Sequence, residues 1–199
     1  MNIIWHGHSC FEITGKDGTI VFDPYQANSV PGLNSLKLKA NLVLCSHEHD
    51  DHNARNCVEV APKDFKVTYI ETYHDHHQGS HRGKNTIHIV DFEDLKVVHM
   101  GDIGCMMDDI SKLKNCDVLM IPIGGYYTID TKEALKYIER IQPRIVISMH
   151  YHSHEFGYDV LSTNEEFIQK SSNIVYVDDY LEVHKETKGQ TIVFKKPRN

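Results

Sequence analysis

Leu42-Val43-Leu44-Cys45-Ser46-His47-Glu48-His49-Asp50-Asp51-His52 decides the fold. Four apolar residues read as a buried strand, and three imidazoles and three carboxylates follow directly behind it. A rigid strand fixes a position, and the loop at its end carries chemistry. His47 and His49 stand two apart, so in an extended segment both side chains leave on one side and can share an ion. Asp51 and His52 follow at once and supply ligands of a different kind. Neutral imidazole with carboxylate suits zinc, manganese or iron(II), and the absence of thiolate here argues against a structural cysteine-type zinc site. Nor is this the i, i+4 histidine pair of a helical zinc motif. One tetrahedral ion cannot use four clustered ligands and keep a position open, so the cluster suggests two ions, each with further ligands from elsewhere. The plain alternative is a solvated polar loop behind a strand.

The same grammar recurs along the chain. Lys66 to Ile70 runs into Tyr73-His74-Asp75, the strand Leu95 to Met100 into Gly101-Asp102, and Arg144 to Met149 into His150. Near the start, Ile3-Ile4-Trp5 precedes His6-Gly7-His8-Ser9, and Thr19 to Phe22 is a strand closed by the turn pair Asp23-Pro24. Residues 25 to 40 read as a surface loop, and Cys105 to Lys114 as a helical stretch. Val118 to Ile123 is a strand ending in Gly124-Gly125. Asp130 with Glu133 opens a helix in capping-box fashion, Ala134, Leu135, Ile138 and Ile141 trace its face, and Pro143 stops it. Thr163 to Glu166 opens a short helix, and three short strands over 173–177, 180–184 and 191–194 close the chain. Leu44-Cys45-Ser46-His47 also echoes Ile147-Ser148-Met149-His150, an internal repeat or a coincidence.

Composition narrows the class. At 199 residues the chain is long enough for one domain with a full core, and one domain over 1–199 is the expectation. A net charge of −7 argues against a protein that coats nucleic acid or anionic membrane. Fifteen histidines are the outlier, gathered in a few clusters. Five cysteines, an odd number without disulfide-type spacing, fit free thiols in a reducing compartment. With no signal pattern and no apolar run long enough to span a bilayer, a cytoplasmic location without membrane contact is expected. The sequence leaves room for a homo-oligomer.

The order His47-x-His49-x-Asp51-His52, then His74, Asp102 and His150, resembles the metallo-β-lactamase superfamily. Gly7-His8-Ser9-Cys10-Phe11, Tyr73-His74-Asp75 with Arg82-Gly83-x-Asn85, His99-Met100-Gly101-Asp102, Pro122-x-Gly124-Gly125 with Thr128-Ile129-Asp130, and Met149-His150-Tyr151 extend the likeness over nearly the whole chain. They look like the small branch that includes the ascorbate-6-phosphate lactonase-like hydrolases. The resemblance implies an α/β fold, a four-layer α/β/β/α sandwich with a binuclear site at the edge of its two inner sheets. It assigns His47, His49 and His74 to one metal, Asp51, His52 and His150 to the other, and Asp102 to a bridge. Two ions, zinc first and manganese or iron next, would share a hydroxide that attacks a carbonyl carbon or phosphorus. Asp51 is then the catalytic candidate that orients this nucleophile or takes its proton.

Among the other polar residues, His8 and Arg82 are the candidates for substrate contact. Arg82 shares a loop with His76, His77, His81 and Lys84, whose positive potential suits a phosphate or carboxylate group, against the alternative of a solvated loop. His99, inside an apolar strand, reads as a buried histidine with a hydrogen-bond partner, and His88 and His184 as structural. Tyr126, Tyr127 and Tyr151 line a pocket or pack. The function expected is a metal-dependent hydrolase of a small, anionic ester, lactone or phosphodiester. The rivals are a phosphodiesterase or nuclease acting on nucleic acid, which needs a basic groove, and a metal sensor or store without turnover.

Overall fold

The apolar runs become sheet. The computed structural model describes residues 1–198, and its strands form two large sheets and a small ribbon. The first sheet is built from β1 (Asn2–Gly7), β2 (Cys10–Gly15), β3 (Gly18–Phe22), β5 (Leu42–Leu44) and β13 (Tyr180–Glu182), in the order β13-β1-β2-β3-β5. The ribbon pairs β4 (Leu38–Ala40) with β6 (Val58–Val60). The second sheet, in the order β12-β14-β11-β10-β9-β8-β7, uses β7 (Lys66–Tyr73), β8 (Lys84–Phe92), β9 (Leu95–His99), β10 (Val118–Pro122), β11 (Ile145–Met149), β12 (Ile174–Val177) and β14 (Gln190–Phe194). One apolar core joins the two sheets: Trp5, Phe11 and Phe22 of the first and Val98, Met120 and Ile147 of the second belong to the same buried cluster.

Strand direction positions the site. β1 and β3 each run antiparallel to β2, and β5 runs parallel to β3, so β1, β3 and β5 point the same way. In the second sheet β9, β10 and β11 are parallel, and β7 shares their direction because β8 runs antiparallel to both of its neighbours. The carboxyl ends of these strands carry, in turn, His8, Asp23, the 46–52 segment, His74, Asp102 and His150.

The helices are few. α1 (Thr131–Ile141) starts on a complete capping box, with Asp130 accepting from the Glu133 amide and Glu133 accepting from the Asp130 amide, and ends at Gln142 in a left-handed conformation. Its buried face is Ala134, Tyr137 and Ile141, while Leu135 and Ile138 are only partly covered, so the apolar stripe is rotated from the one the pattern suggests. α2 (Glu165–Lys170) buries Phe167. On the first sheet's outer side, a small cluster of Cys10, Val21, Tyr25, Val30, Ala40 and Val58 is covered by the β4–β6 ribbon, a 3-10 turn at Arg55–Cys57 and the loop after β3. That outer layer is thin, and the loop over 25–36 is an integral part of it: Tyr25 and Val30 are buried.

One expected helix does not form. Residues 103–110 are irregular and only a 3-10 turn at Ser111–Leu113 follows. The cause lies in competing partners. Arg140 donates to the carbonyls of Met107 and Asp108, and Tyr137 Oη takes the Met107 amide and donates to the Cys105 carbonyl. Groups that a helix would pair internally are paired with α1 side chains instead.

Candidate active site

Three of the imidazoles at the sheet edge are aimed by a partner behind them. Asp23, fully buried, accepts from the Ser46 amide at 2.6 Å, from Ser46 Oγ at 2.7 Å and from His52 Nδ1 at 2.9 Å. A carboxylate only accepts, so Nδ1 of His52 carries the proton. The Ser46 hydroxyl spends its proton on Asp23, so it accepts from His47 Nδ1 at 2.9 Å. His74 Nδ1 donates to the Tyr127 carbonyl at 3.0 Å. In all three rings the outward nitrogen is a donor, and Nε2 faces the site.

The inward atoms converge. Asp102 Oδ2 stands 3.2 Å from His52 Nε2, 3.3 Å from His74 Nε2 and 3.0 Å from His150 Nε2. The rings of His47 and His49 meet edge-on at 4.5 Å, although residues 46–49 form a bend and not the extended segment that spacing suggests. His47, His49 and His74 bring ligand atoms within 4.8 Å of one another, as do Asp51, His52 and His150 together with His8. Asp102 joins His47 and His52 in a third such group. His47 Nε2, His52 Nε2 and Asp102 Oδ1 are buried without a hydrogen-bond partner. Buried polar atoms without partners are costly, and three at one point fit donors for a cation.

The electrostatics agree. Burial raises the Asp102 carboxyl, but the charges of His150 and His52 outweigh it and hold the group well below the carboxylate range. Burial lowers His52, but Asp102, Asp51 and Asp23 outweigh it and hold the imidazole well above its usual value. That point in the molecule attracts positive charge strongly. His47 is brought down to about 3 by burial and then by His52, which favours the neutral ring a metal needs.

Arg82 is placed apart from this cluster, at the mouth. Its guanidinium lies 4.2 Å from the centre of the Tyr127 ring and 5.7 Å from that of Tyr126, and it has no acidic partner among the described residues. It lines two openings that flank the cluster. One is a cavity of about 330 Å³ that also takes in His74, His77, His81 and Thr128. The other, about 400 Å³, takes in His47, His49 and Lys84. The loop that carries Arg82 is stiffened from within: the Asp75 carboxylate accepts the amides of His77, Gly79, His81 and Arg82 at 2.7–3.1 Å. His8 is buried, with Nε2 3.3 Å from Asp51 Oδ2.

The chain is similar to known proteins. The model of the β-lactamase superfamily domain covers residues 2–150. The chain belongs to the β-lactamase superfamily. Among relatives, a UPF0173 metal-dependent hydrolase from Staphylothermus marinus is 30% identical over 194 residues, covering 74% of this chain and 82% of its own. A metal-dependent hydrolase from Thermoplasma acidophilum is 28% identical over 204 residues, with 83% and 88% covered. A Thermotoga maritima protein of the metallo-β-lactamase superfamily superposes with a TM-score of 0.79 at 26% identity and covers 97% of both chains. This superfamily member has the α/β sandwich fold and is a metal-dependent hydrolase with a His/Asp cluster able to bind metal. No helix among its described residues is long and apolar enough to cross a membrane.

The sequence reading passed over two residues of this superfamily member's site. Asp23 was hidden in an ordinary turn pair, although its place directly after an apolar strand follows the same rule as the other site residues. Tyr158 donates to the Ser29 carbonyl at 2.6 Å and lies 3.3 Å from Asp51 Oδ2; no spacing or motif marks it. Tyr151, a pocket candidate, is buried and stacked on Trp5 at 5.8 Å, so it packs. His99 donates from Nε2 to the Ser9 carbonyl at 3.0 Å inside the core.

Proposed function

We propose that the chain is a binuclear hydrolase of a small, anionic ester, lactone or phosphodiester. The observation that carries this reading is the pair of His/Asp clusters that meet at Asp102, with unpartnered buried nitrogens turned inward. His47, His49 and His74 would hold one ion, Asp51, His52 and His150 the other, and Asp102 both. Two divalent ions there, zinc first and manganese or iron(II) as alternatives, would supply a hydroxide near neutral pH and neutralise charge on the substrate oxygen.

The chain's own residues do the rest. Asp23, Ser46 and the Tyr127 carbonyl fix the tautomers of His52, His47 and His74. Asp51 Oδ2 faces the cluster and is the proton acceptor for the attacking group. Arg82 offers guanidinium donors that no acid satisfies, at a mouth shared by both flanking cavities, and would hold the substrate's anionic group. Among the residues lining those cavities, Arg82 and Lys84 are the lysine and arginine cations, which favours a small anion over a nucleic-acid backbone.

Metal content per chain tests the reading. The expected result is about two equivalents in the wild type, falling in His47→Ala and Asp102→Asn, with turnover of lactone or phosphodiester probes lost in both and in Asp51→Ala. Wild-type protein that binds no metal at any supplied concentration overturns it, and full metal without turnover across the probes would favour a metal store.

A further inference from the structure

His8, a candidate in the sequence for substrate contact, is buried against Asp51. The geometry points to His8 as an additional ligand, through Nε2, of the ion held by Asp51, His52 and His150. This rests on the binuclear reading above and adds a donor to it.

The first argument is a distance. His8 Nε2 is 3.3 Å from Asp51 Oδ2. A charge-assisted N–H···O⁻ bond closes to about 2.7–2.9 Å, and the neighbouring His52 Nδ1 reaches its outward carboxylate at 2.9 Å. Two donors bound to one ion at about 2.0–2.2 Å stand roughly 2.8–3.6 Å apart for angles between a right angle and the tetrahedral angle. The contacts of Asp102 Oδ2 with His150, His52 and His74, at 3.0, 3.2 and 3.3 Å, fall in the same range, and Asp51 Oδ2 to His52 Nε2, at 3.7 Å, lies just beyond it. The His8–Asp51 spacing is long for a charge-assisted hydrogen bond and lies within the donor spacing of a coordination shell.

The second argument is enclosure. His8 is 1% exposed, its ring centre lies 4.1 Å from that of His150 and 5.2 Å from that of His52, and Nδ1 has no hydrogen-bond partner. Among the described residues the ring's only polar contact is with Asp51.

The third argument is backbone. His8 and His150 both adopt the left-handed conformation, with φ of +52° and +53°. That region is sparsely populated for residues with a Cβ, and such outliers persist where the surroundings impose them. Here the His8 carbonyl accepts from Trp5 Nε1 at 3.2 Å and from the His150 amide at 3.4 Å. The core and the facing strand end thus hold two strained histidines together, with their rings on the same point.

With His8, this half of the site has the donors His8, Asp51, His52, His150 and the shared Asp102, while the other has His47, His49, His74 and Asp102. The crowded half suits an ion that accepts more than four N/O donors, as manganese and iron(II) do.

The test is cobalt(II) titration of the metal-stripped full chain as wild type, His8→Ala and His8→Gln. Affinities are read by chelator competition, and coordinated imidazoles by hyperfine-shifted N–H resonances. Wild type should take two equivalents. Both variants should lose one shifted resonance. Their weaker equivalent should lose more than the about 10–100-fold that removal of an outer hydrogen-bond partner costs, while the other equivalent and the circular dichroism stay as in wild type. A His8→Gln protein with wild-type affinity would make His8 a positioning residue for Asp51 and overturn the assignment, and it decides the matter if His8→Ala does not fold. Unchanged affinities and resonances in the variants overturn it too, and both outcomes leave the binuclear reading standing. A wild type that takes a single equivalent removes the binuclear reading and this assignment together.

Discussion

Asp23 shows how much one side chain can organise. It satisfies the Ser46 amide and hydroxyl and His52 Nδ1, and through Ser46 it sets the tautomer of His47. Asp23→Asn keeps the shape but replaces one acceptor oxygen by an NH2 group that faces donors, and removes the charge. The expected loss is about 3–5 kcal/mol of stability, as for other broken buried ionic partners, with metal affinity down about 10–100-fold; urea unfolding and chelator competition read the two. Asp75 makes a separate prediction. Burial works against its charge, but the amides of Arg82, His77, Gly79 and His81 outweigh it and bring the carboxyl down to about 2. A depressed carboxylate contributes order that is fully present above its unfolded pKa of about 3.9 and is lost as pH falls through the folded value. Amide exchange at Gly79 and Arg82 should therefore stay slow at pH 5, quicken below about 4, and be fast at every pH in Asp75→Asn. Unchanged exchange in that variant would show that the loop is held by something else.

The elements that carry the site were legible because they share a rule. An apolar strand followed by His or Asp marked the ends of β5, β7, β9 and β11, and each of those residues lies in the cluster. Asp23 obeys the rule at the end of β3, but Asp-Pro is also an ordinary turn, so the pattern could not separate the two. The false helix over 105–114 had helix-like spacing in Met106, Met107, Ile110 and Leu113, and nothing local reveals that Arg140 and Tyr137 take its backbone groups. Tyr158 reaches Asp51 from more than a hundred residues away, which no local signal encodes. Strand ends also limit what can change. A Cβ on Gly124, just beyond β10, would meet the His150 carbonyl oxygen at 2.0 Å, where backbone has no room to yield. Gly124→Ala should cost about 1–3 kcal/mol, as overpacking does, and weaken metal binding by displacing His150; a variant with wild-type Tm and metal content would contradict this.

At the scale of the whole molecule, the cluster ties together two sheets. Its donors come from the ends of β1, β5 and the loop after β5 on one side and β7, β9 and β11 on the other. Metal at about 100 times its Kd should add roughly 2.7 kcal/mol per site to stability, and chelation should loosen amides at this edge of both sheets before the opposite edge. Equal protection at both edges after chelation would argue that the sheets hold together without help.

The 75–83 loop, in contrast, asks little of the rest of the protein. The His74 amide bonds the Gly83 carbonyl at its base, Gly83 bonds back to Gly79, and one carboxylate inside it gathers four amides. A segment that brings its own scaffold can be exchanged as a cassette. Relatives could acquire new substrates by replacing this stretch of the rim while the ligand-bearing strand ends stay untouched, and a grafted loop that keeps the Asp75 arrangement is the natural starting point for redesign.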